Sequence, residues 1–255
     1  MLLLGVKKTS SVKTIGYQHS SLSARHWNYR MDHREREISP LPDMIYSSGE
    51  KTKQWFMEQF QFTPHRIRST PALRYADHLY FAKAKLERPQ RILYTLASLE
   101  NEYINALYFL NNAFKYLKSP IHLTLRAHPQ TPMDHLLRKI PLKFPYELDK
   151  GSSLMNVLES HDVLLYSSST SGIEALSLGI PIIYIQLPDY LNADPLVDFN
   201  DFKWRVEHPS ELWAALEQIK KLSDEDYQKR QESGIEQVKR YFNSCNEQNL
   251  GVFLP

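Results

Sequence analysis

The stretch DVLLYSSSTSGIEALSLGIPIIYIQ, residues 162–186, constrains the fold more than any other part of the chain. Its apolar run Val163–Tyr166 shows no alternation with polar residues, which is typical of a parallel strand buried on both faces. A polar loop and a short helix follow. We expect the helix to end at Gly179, in the left-handed conformation that favours glycine, and residues 181–187 to form the next buried strand. This order of elements predicts an α/β fold with a parallel sheet.

The polar loop within this stretch has two interpretations. It carries a run of hydroxyl groups, namely those of Ser167, Ser168, Ser169 and Thr170. Hydroxyls beside the free N–H groups of a helix N-terminus favour a phosphate site, and Gly172 lets the backbone turn closely into the helix. However, Ser171 and Glu174 also fit the S-x-x-E capping box, which needs no ligand. From spacing alone the two interpretations are equally supported.

Composition bounds the class of protein. The 255 residues, 42% hydrophobic and 24% charged, are enough for one large globular domain or two small ones. A net charge of +2 argues against nucleic acid as a partner. The single Cys245 suits a reducing compartment, and no apolar run has the length of a signal peptide or membrane span, so we predict a cytoplasmic protein. Basic residues among the first forty leave open a peripheral contact with the inner membrane surface, although a solvated face is the simpler interpretation.

Strands alternate with helices along the rest of the chain. In the first part we predict strands at 12–17, 44–47 and 67–73, an extended surface loop at 22–40 and a helix at 50–60. The second part is predicted to contain strands at 91–95, 121–125 and 202–206, the last at a sheet edge, and helices at 154–160, from 211 and at 224–242. We therefore predict a partial N-terminal domain (1–75), a crossing segment (76–90), a Rossmann-like domain (91–242) and a C-terminal tail (243–255).

A second polar loop, Arg126-Ala127-His128-Pro129, follows the predicted strand at 121–125. Ligands of doubly wound sheets bind outside the carboxyl ends of strands, where both loops fall, and this favours the ligand interpretation. Arg126 and His128 offer a positive charge and a directed donor for a phosphate, and Glu174 offers an acceptor for ribose hydroxyls.

The acidic residues spread over 189–201 suit a solvated loop better than a metal-binding site. Because no cluster has ligand spacing, we predict no metal.

The motifs RAHP and SSSTSGIEALSLGIP resemble the carboxy-terminal half of GT-B glycosyltransferases that build bacterial surface polysaccharides. This pairing is similar to that of sialyl-, polysialyl- and Kdo transferases, which use CMP-sugars, and CDP-glycerol-dependent glycerophosphotransferases share a related pattern. The segments IGYQHSS, LPDMIYSSGE and PALRY are similar to surface-carbohydrate biosynthesis proteins. The resemblance spans residues 14–215. It implies that the donor nucleotide and its phosphate contact the RAHP and serine loops, and that Glu174 holds the ribose. Together with the chemistry of the two loops, it gives the predicted donor-binding residues Arg126, His128, Ser167, Ser168, Ser169, Thr170 and Glu174.

The resemblance also implies an architecture and a reaction. The expected fold is GT-B-like, with a complete Rossmann-like C-terminal domain preceded by a partial N-terminal one, and we expect an N-terminally truncated member. The implied reaction is metal-independent and uses no cofactor. It transfers a sugar from a nucleotide-sugar, with CMP-sugar favoured, to a hydroxyl of a glycan or lipid-linked glycan, and the candidate bases are His19 and Glu50. Truncation would favour self-association or a missing N-terminal partner. A nucleotide-sugar 2-epimerase and a non-catalytic nucleotide-sugar-binding or scaffold subunit remain as alternatives.

Overall fold

A computed structural model describes residues 3, 7, 11–76, 91–116, 121–151, 153–188 and 190–253. The chain divides into two compact units. The first comprises residues 1–79 together with 239–255, and the second comprises residues 80–238. The predicted crossing segment lies, apart from residue 76, outside the described residues. The residues after 242, predicted as a tail, are part of the first unit.

Each unit contains a parallel β-sheet. The first sheet consists of β1 (Ile15–Gln18), β2 (Met44–Ser47) and β3 (Ile67–Ser69), in that order. The strands of the second sheet are β4 (Arg91–Thr95), β5 (His122–Arg126), β6 (Glu147–Leu148), β7 (Val163–Tyr166), β8 (Ile182–Ile185) and β9 (Lys203–Val206). Their order is β6-β5-β4-β7-β8-β9, and all neighbouring strands are parallel. The predicted parallel α/β fold is confirmed, and β9 is the edge strand that the sequence predicts.

Helices connect and cover these strands. In the first unit these are α1 (His33–Ile38) and α2 (Glu50–Glu58). The second unit contains α3 (Glu100–Ala113), α4 (Asp134–Lys139), α5 (Leu154–Glu159), α6 (Ser171–Ser177) and α7 (Glu211–Lys221). Helix α8 (Asp224–Tyr241) starts in the second unit, whereas its last residues and α9 (Glu247–Leu250) belong to the first.

Residues 22–40, predicted as an extended surface loop, contain α1 instead, so that prediction is wrong. The Asp32 side chain accepts a hydrogen bond from the Arg34 N–H (2.9 Å), and the Glu35 side chain accepts one from the Asp32 N–H (2.9 Å), which completes a capping box. The run D-x-x-E was therefore the overlooked helix signal. At the start of the same region, Leu22 is 2% exposed and belongs to the core of the first unit.

The core of the first unit lies on one face of its sheet. There, residues of the strands pack against aromatic rings of and after α2, and the buried cluster comprises Leu22, Ile45, Phe56, Phe60, Phe62 and Ile67. The opposite face carries Tyr17 and Tyr46, which are paired in register across β1 and β2. The ring of Phe253, from a 3₁₀ turn near the C-terminus, contacts both tyrosines edge-on, at centroid distances of 5.8 and 5.7 Å. Residues from the far end of the chain thus cover this face.

The end of the chain also packs against the loop after β2. The Ser48 hydroxyl donates to the Tyr241 carbonyl (3.2 Å), and the Asn243 N–H donates to the Ser48 carbonyl (2.8 Å). A Cβ atom on Gly49 would lie 2.2 Å from the Tyr241 carbonyl oxygen. This close backbone approach requires glycine at position 49.

The second unit is built around strands that are buried on both faces. Every residue of β7 and β8 is buried, as the absence of polar alternation predicted. Gly179 has the predicted left-handed conformation, with φ +69°. Gly172 allows α6 to approach β7 closely, since a Cβ there would lie 2.8 Å from the Tyr166 ring. No helix among the described residues combines the length and the apolar character that crossing a membrane requires.

Candidate functional site

The strand order of the second sheet places a topological switch point between β4 and β7. From β4 the chain moves outward through β5 to β6, returns to β7 beside β4, and then moves outward on the other side to β9. This is the 3-2-1-4-5-6 order of a dinucleotide-binding Rossmann sheet. The connections after β4 and β7 diverge from each other, so a crevice opens at the carboxyl ends of these strands. The serine loop, residues 167–170, directly follows β7 at this point.

The hydroxyls of the serine loop differ in the hydrogen bonds they make. Ser168 donates to the Glu102 carboxylate at 2.6 Å, so its hydrogen is already used. Ser169 accepts from the Ser171 N–H at 3.2 Å, and no described residue accepts its hydrogen. Ser167 is 5% exposed, and its hydroxyl lies near that of Tyr94 but makes no hydrogen bond of normal geometry with any described residue. Ser169, which is half-buried, is therefore the hydroxyl best prepared to donate to an anion.

The capping box that the sequence offered as an alternative is not formed. Thr170 occupies the N-cap position of α6 without a side-chain cap, and the Ser171 hydroxyl lies 2.6 Å from the Thr95 hydroxyl at the end of β4. Glu174 lies in the first turn of α6 and is 7% exposed. Because α6 has only seven residues, the site depends on its hydroxyls more than on a helix dipole.

The RAHP loop lies at the end of β5, beside β4. The Arg126 guanidinium forms an ion pair with Asp149, which follows β6, and the Asp149 side chain is 6% exposed. The His128 N–H donates to the Tyr103 hydroxyl, and the His128 ring accepts a bond from the Gln130 N–H at 3.3 Å. Arg126 therefore brings less net positive charge than the sequence suggested, whereas the His128 ring is half-buried at the edge of the sheet.

The first turn of α3 connects the two predicted loops. Glu102 accepts from Ser168 of the serine loop, and the adjacent Tyr103 bonds the backbone of His128 in the RAHP loop. The loop after β4 contributes a further contact, since the Thr131 hydroxyl donates to the Ser98 carbonyl at 2.6 Å. The structure thus brings the two loops together, as the sequence predicted, through the first turn of α3 and the loop that precedes it.

Glu102 and Tyr94 are the residues of this site that sequence reasoning missed. The Glu102 side chain is buried, with 1% of the residue exposed, and the Tyr94 hydroxyl is buried without a hydrogen bond of normal geometry. Burial raises the pKa of Tyr94 well above its usual value, the negative charge of Glu102 raises it further, and the nearby Ser167 hydroxyl partly offsets the shift. The signal for Glu102 was its place beside Tyr103, which lies four residues before Leu107 and therefore on the same apolar face of α3, because a carboxylate at the edge of a buried face needs a partner.

The two candidate bases belong to the first unit. His19 is exposed and directly follows β1. Glu50 is the first residue of α2, is exposed, and forms an ion pair with Lys53 at 2.8 Å. Both residues follow the carboxyl ends of neighbouring strands of one sheet, and their catalytic role stays a prediction.

The acidic segment after β8 differs from the expected solvated loop. Asp194 is 4% exposed and accepts hydrogen bonds from the Lys203 ammonium (2.7 Å), the Tyr166 hydroxyl (2.8 Å) and the Leu196 N–H (2.9 Å). This buried ion pair ties the segment to β7 and β9, so the expectation of a solvated loop is wrong for Asp194. Asp189 lies outside the described residues. In the part of the chain that the structure describes, no three His, Cys, Asp or Glu side chains are grouped as metal ligands.

No protein-family model and no curated protein sequence matches the chain. Solved structures match over nearly its whole length. They include TarM (12% identity, 96% of this chain and 50% of that one) and a glycosyltransferase from Rickettsia africae (14% identity, 97% and 71%). HepE from Anabaena in complex with UDP-glucose matches at 10% identity, over 89% of this chain and 68% of that one. Each comparison has a TM-score of 0.58.

The chain has a GT-B-like fold. This confirms the expected α/β architecture with a Rossmann-like second domain, which follows a smaller parallel α/β unit. At identities of 10–14% the likeness defines the fold alone. The chain spans half the length of TarM and about 70% of the other two proteins.

Proposed function

We propose that this GT-B-like protein is a glycosyltransferase that binds a nucleotide-sugar through the second unit and transfers the sugar to a glycan hydroxyl. The observation that carries this proposal is the switch point between β4 and β7, where the serine loop and the RAHP loop meet at the carboxyl edge of a Rossmann-ordered sheet. Among the structures with this fold, HepE is described in complex with UDP-glucose, and Staphylococcus aureus TarM in complex with UDP and α-GlcNAc-glycerol.

The roles of the residues follow from their hydrogen bonds. Ser169 and the His128 ring would donate to the phosphate of the donor and stabilise the charge that develops as the nucleotide leaves. Glu102 would hold Ser168 in place, and Asp149 would orient Arg126, so these two carboxylates position the loops. Glu174 is the proposed acceptor for ribose hydroxyls. His19 or Glu50 of the first unit is the proposed base for the acceptor hydroxyl.

The finer assignments rest on the sequence motifs. We propose a CMP-sugar donor, a role in bacterial surface-carbohydrate synthesis at the cytoplasmic side of the membrane, and a reaction that needs no metal. UDP-bound structures among the fold relatives make UDP the principal competitor for the donor nucleotide. The nucleotide is therefore the first quantity to measure.

A thermal-shift screen against CMP, CDP, UDP and GDP tests the proposed site. A ligand that binds only the folded state at 100 times its Kd stabilises that state by about 2.7 kcal/mol. For a chain of this size that corresponds to a rise in Tm of about 2–4 °C per kcal/mol. We expect the largest shift with CMP or CDP, unchanged by EDTA. The absence of a shift with all four nucleotides would remove the proposed site.

A second assay separates an enzyme from a binding subunit. Release of nucleotide from the best-bound sugar donor is followed with and without a glycan acceptor. A glycosyltransferase releases nucleotide faster with the acceptor, whereas a binding subunit releases none under either condition. Binding without any release would therefore retain the site and refute the reaction.

A further inference from the structure

The uncovered part of the first unit's sheet carries a charged residue. In register, Tyr17 of β1 pairs with Tyr46 of β2, and Tyr46 pairs with Arg68 of β3, so all three side chains lie on one face. Phe253 covers the two tyrosines. Arg68 lies beyond them on the edge strand and is exposed.

A polar cavity of about 230 Å³ lies beside Arg68, between the carboxyl end of β3 and the C-terminal segment 243–252. Besides Arg68, its wall includes Ser69, Asn243 and Gln248. Pockets for drug-sized ligands have volumes of roughly 300–1,000 Å³. This cavity therefore suits a single small group, such as one sugar unit, better than a nucleotide-sugar.

The hydrogen bonds of the wall distinguish fixed groups from available ones. The Asn243 side-chain amide donates to the Ser69 hydroxyl (2.8 Å) and to the Thr70 carbonyl (3.2 Å), which holds the C-terminal segment against the end of β3. The Arg68 guanidinium and the Gln248 amide, by contrast, have no partner among the described residues. None of the lining residues is acidic, so Arg68 alone sets the charge of the wall.

These two available groups define a ligand chemistry. A guanidinium binds a carboxylate through two parallel N–H bonds. The Gln248 amide offers both a donor and an acceptor, and its acceptor needs a hydroxyl or N–H on the ligand. A sulfate dianion, by contrast, carries only acceptors and leaves that group unsatisfied. The combination therefore favours a carboxylate that also carries hydroxyls.

We propose that this cavity is a binding site for a small hydroxylated carboxylate of the uronic acid type, held by Arg68 and Gln248. The site lies entirely within the first unit and shares no residue with the switch-point site. It adds a second ligand class to the protein, independent of the donor nucleotide. The segment 243–252 forms one wall of the site.

Calorimetric titration of the full chain with glucuronate, glucose and sulfate tests this assignment. We expect glucuronate to bind, and Arg68→Gln to weaken it about tenfold or more, as the loss of a charged hydrogen bond predicts. Gln248→Ala should weaken it less. Arg34→Gln on α1, an exposed arginine of the same unit, is the matched control and should leave the affinity unchanged.

Three outcomes would overturn the proposal: equal binding of glucose and glucuronate, tighter binding of sulfate than glucuronate, or unchanged glucuronate affinity in Arg68→Gln. Arg68 is exposed, so the variant should fold, and its unchanged Tm would establish that. Nucleotide affinity measured on the same variant separates the two sites. It should equal that of the parent protein whether or not glucuronate binds.

Discussion

Strands β7 and β8 of the second unit are buried at every residue, whereas β1 of the first unit buries only its last residue, Gln18. The second sheet has six strands, and helices from the intervening sequence pack on it, so its core forms from segments close in the chain. The first sheet has three strands. One of its faces is covered by a core cluster from residues 22–67, and the other by Phe253.

This difference has a consequence for stability. The second unit contains a buried ion pair, Asp194 with Lys203, inside a largely apolar core. The first unit instead relies on backbone contacts between Gly49 and the end of α8, which are about 190 residues apart. We therefore expect loss of a single charge to destabilise the second unit. In the first unit, we expect small steric changes where Gly49 contacts the C-terminal segment to be destabilising.

The largest effect is expected from Lys203→Met in the second unit. The substitution leaves the Asp194 carboxylate buried without its cation, which destabilises a protein by about 3–5 kcal/mol. Arg205→Met on the same strand is the control. Arg205 pairs with Glu207 at 3.0 Å, but both side chains are more than half exposed, so we expect a change of about 1 kcal/mol or less. Denaturant unfolding at pH 7 measures the change in the free energy of unfolding for both variants. Equal changes would contradict the expectation that the buried ion pair matters more than the exposed one.

Gly49→Ala is expected to be the most damaging small substitution in the first unit. Its Cβ would meet the backbone of Tyr241, which cannot rotate away, and overpacking of this kind costs about 1–3 kcal/mol. Gly251→Ala is the control, because no atom lies within 4 Å of a Cβ at that position. It should change the free energy of unfolding by a few tenths of a kcal/mol or even raise it.

Tryptophan fluorescence locates the effect of Gly49→Ala. Trp27 and Trp55 lie in the first unit, and Trp204 and Trp213 lie in the second. With Trp204 and Trp213 replaced by Phe, fluorescence reports the first unit alone, and with Trp27 and Trp55 replaced it reports the second. Loss of stability seen only by Trp27 and Trp55 would support separate sensitivities, whereas an equal loss in both units would show that they unfold together.

His128→Ala tests the switch-point site with a smaller expected effect. His128 follows the carboxyl end of β5, whereas His122 is an exposed residue at the amino end of the same strand. We expect His128→Ala to weaken binding of the best nucleotide about tenfold, which corresponds to about 1.4 kcal/mol. His122→Ala should leave it unchanged. Calorimetry measures both, and equal affinities in the two variants would exclude His128 from the site.

The sequence was most informative where one local pattern decided the structure. The apolar runs of β7 and β8 and the glycine at 179 predicted buried strands and a helix end with nearly correct bounds. Helix α1 was missed because its polar face hides the periodicity, although D-x-x-E gave a capping signal. The contact of Phe253 with the first sheet could not be predicted, since nothing local specifies a partner more than 200 residues away.

The candidate site shows the same limit. Both polar loops could be assigned to the carboxyl edge of a sheet from their place after predicted strands. Their connection through Glu102 and Tyr103 depends on the strand order, which brings β4 between β5 and β7. Likewise, pairing of Arg126 with Asp149 requires β6 to lie beside β5. Sequence spacing predicts the strands, helices and loops, whereas these contacts can be predicted only when the order of the strands in the sheet is known.

The smallest expected effect compares one exposed carboxylate from each unit through its pH dependence. In the first unit, a hydrogen bond from Lys7 and two from Thr14 lower the pKa of Asp43. In the second, the N–H groups of His208 and Glu207 lower the pKa of Glu211 at the start of α7. A carboxyl group whose folded pKa is depressed stabilises the protein above its unfolded pKa, about 3.9 for Asp and 4.3 for Glu. That contribution is lost as the pH falls through the folded value.

Asp43→Asn should therefore lower the stability reported by Trp27 and Trp55 at pH 7, and Glu211→Gln that reported by Trp204 and Trp213. Each difference from the parent protein should stay constant between about pH 6 and 8 and shrink as the pH falls below about 4. Because both groups are exposed, 0.5 M salt should reduce each difference further. A difference that persists unchanged at pH 3 would mean that the side chain acts through its shape and not its charge. A change in both reporters from either variant would show that the two units share one unfolding transition.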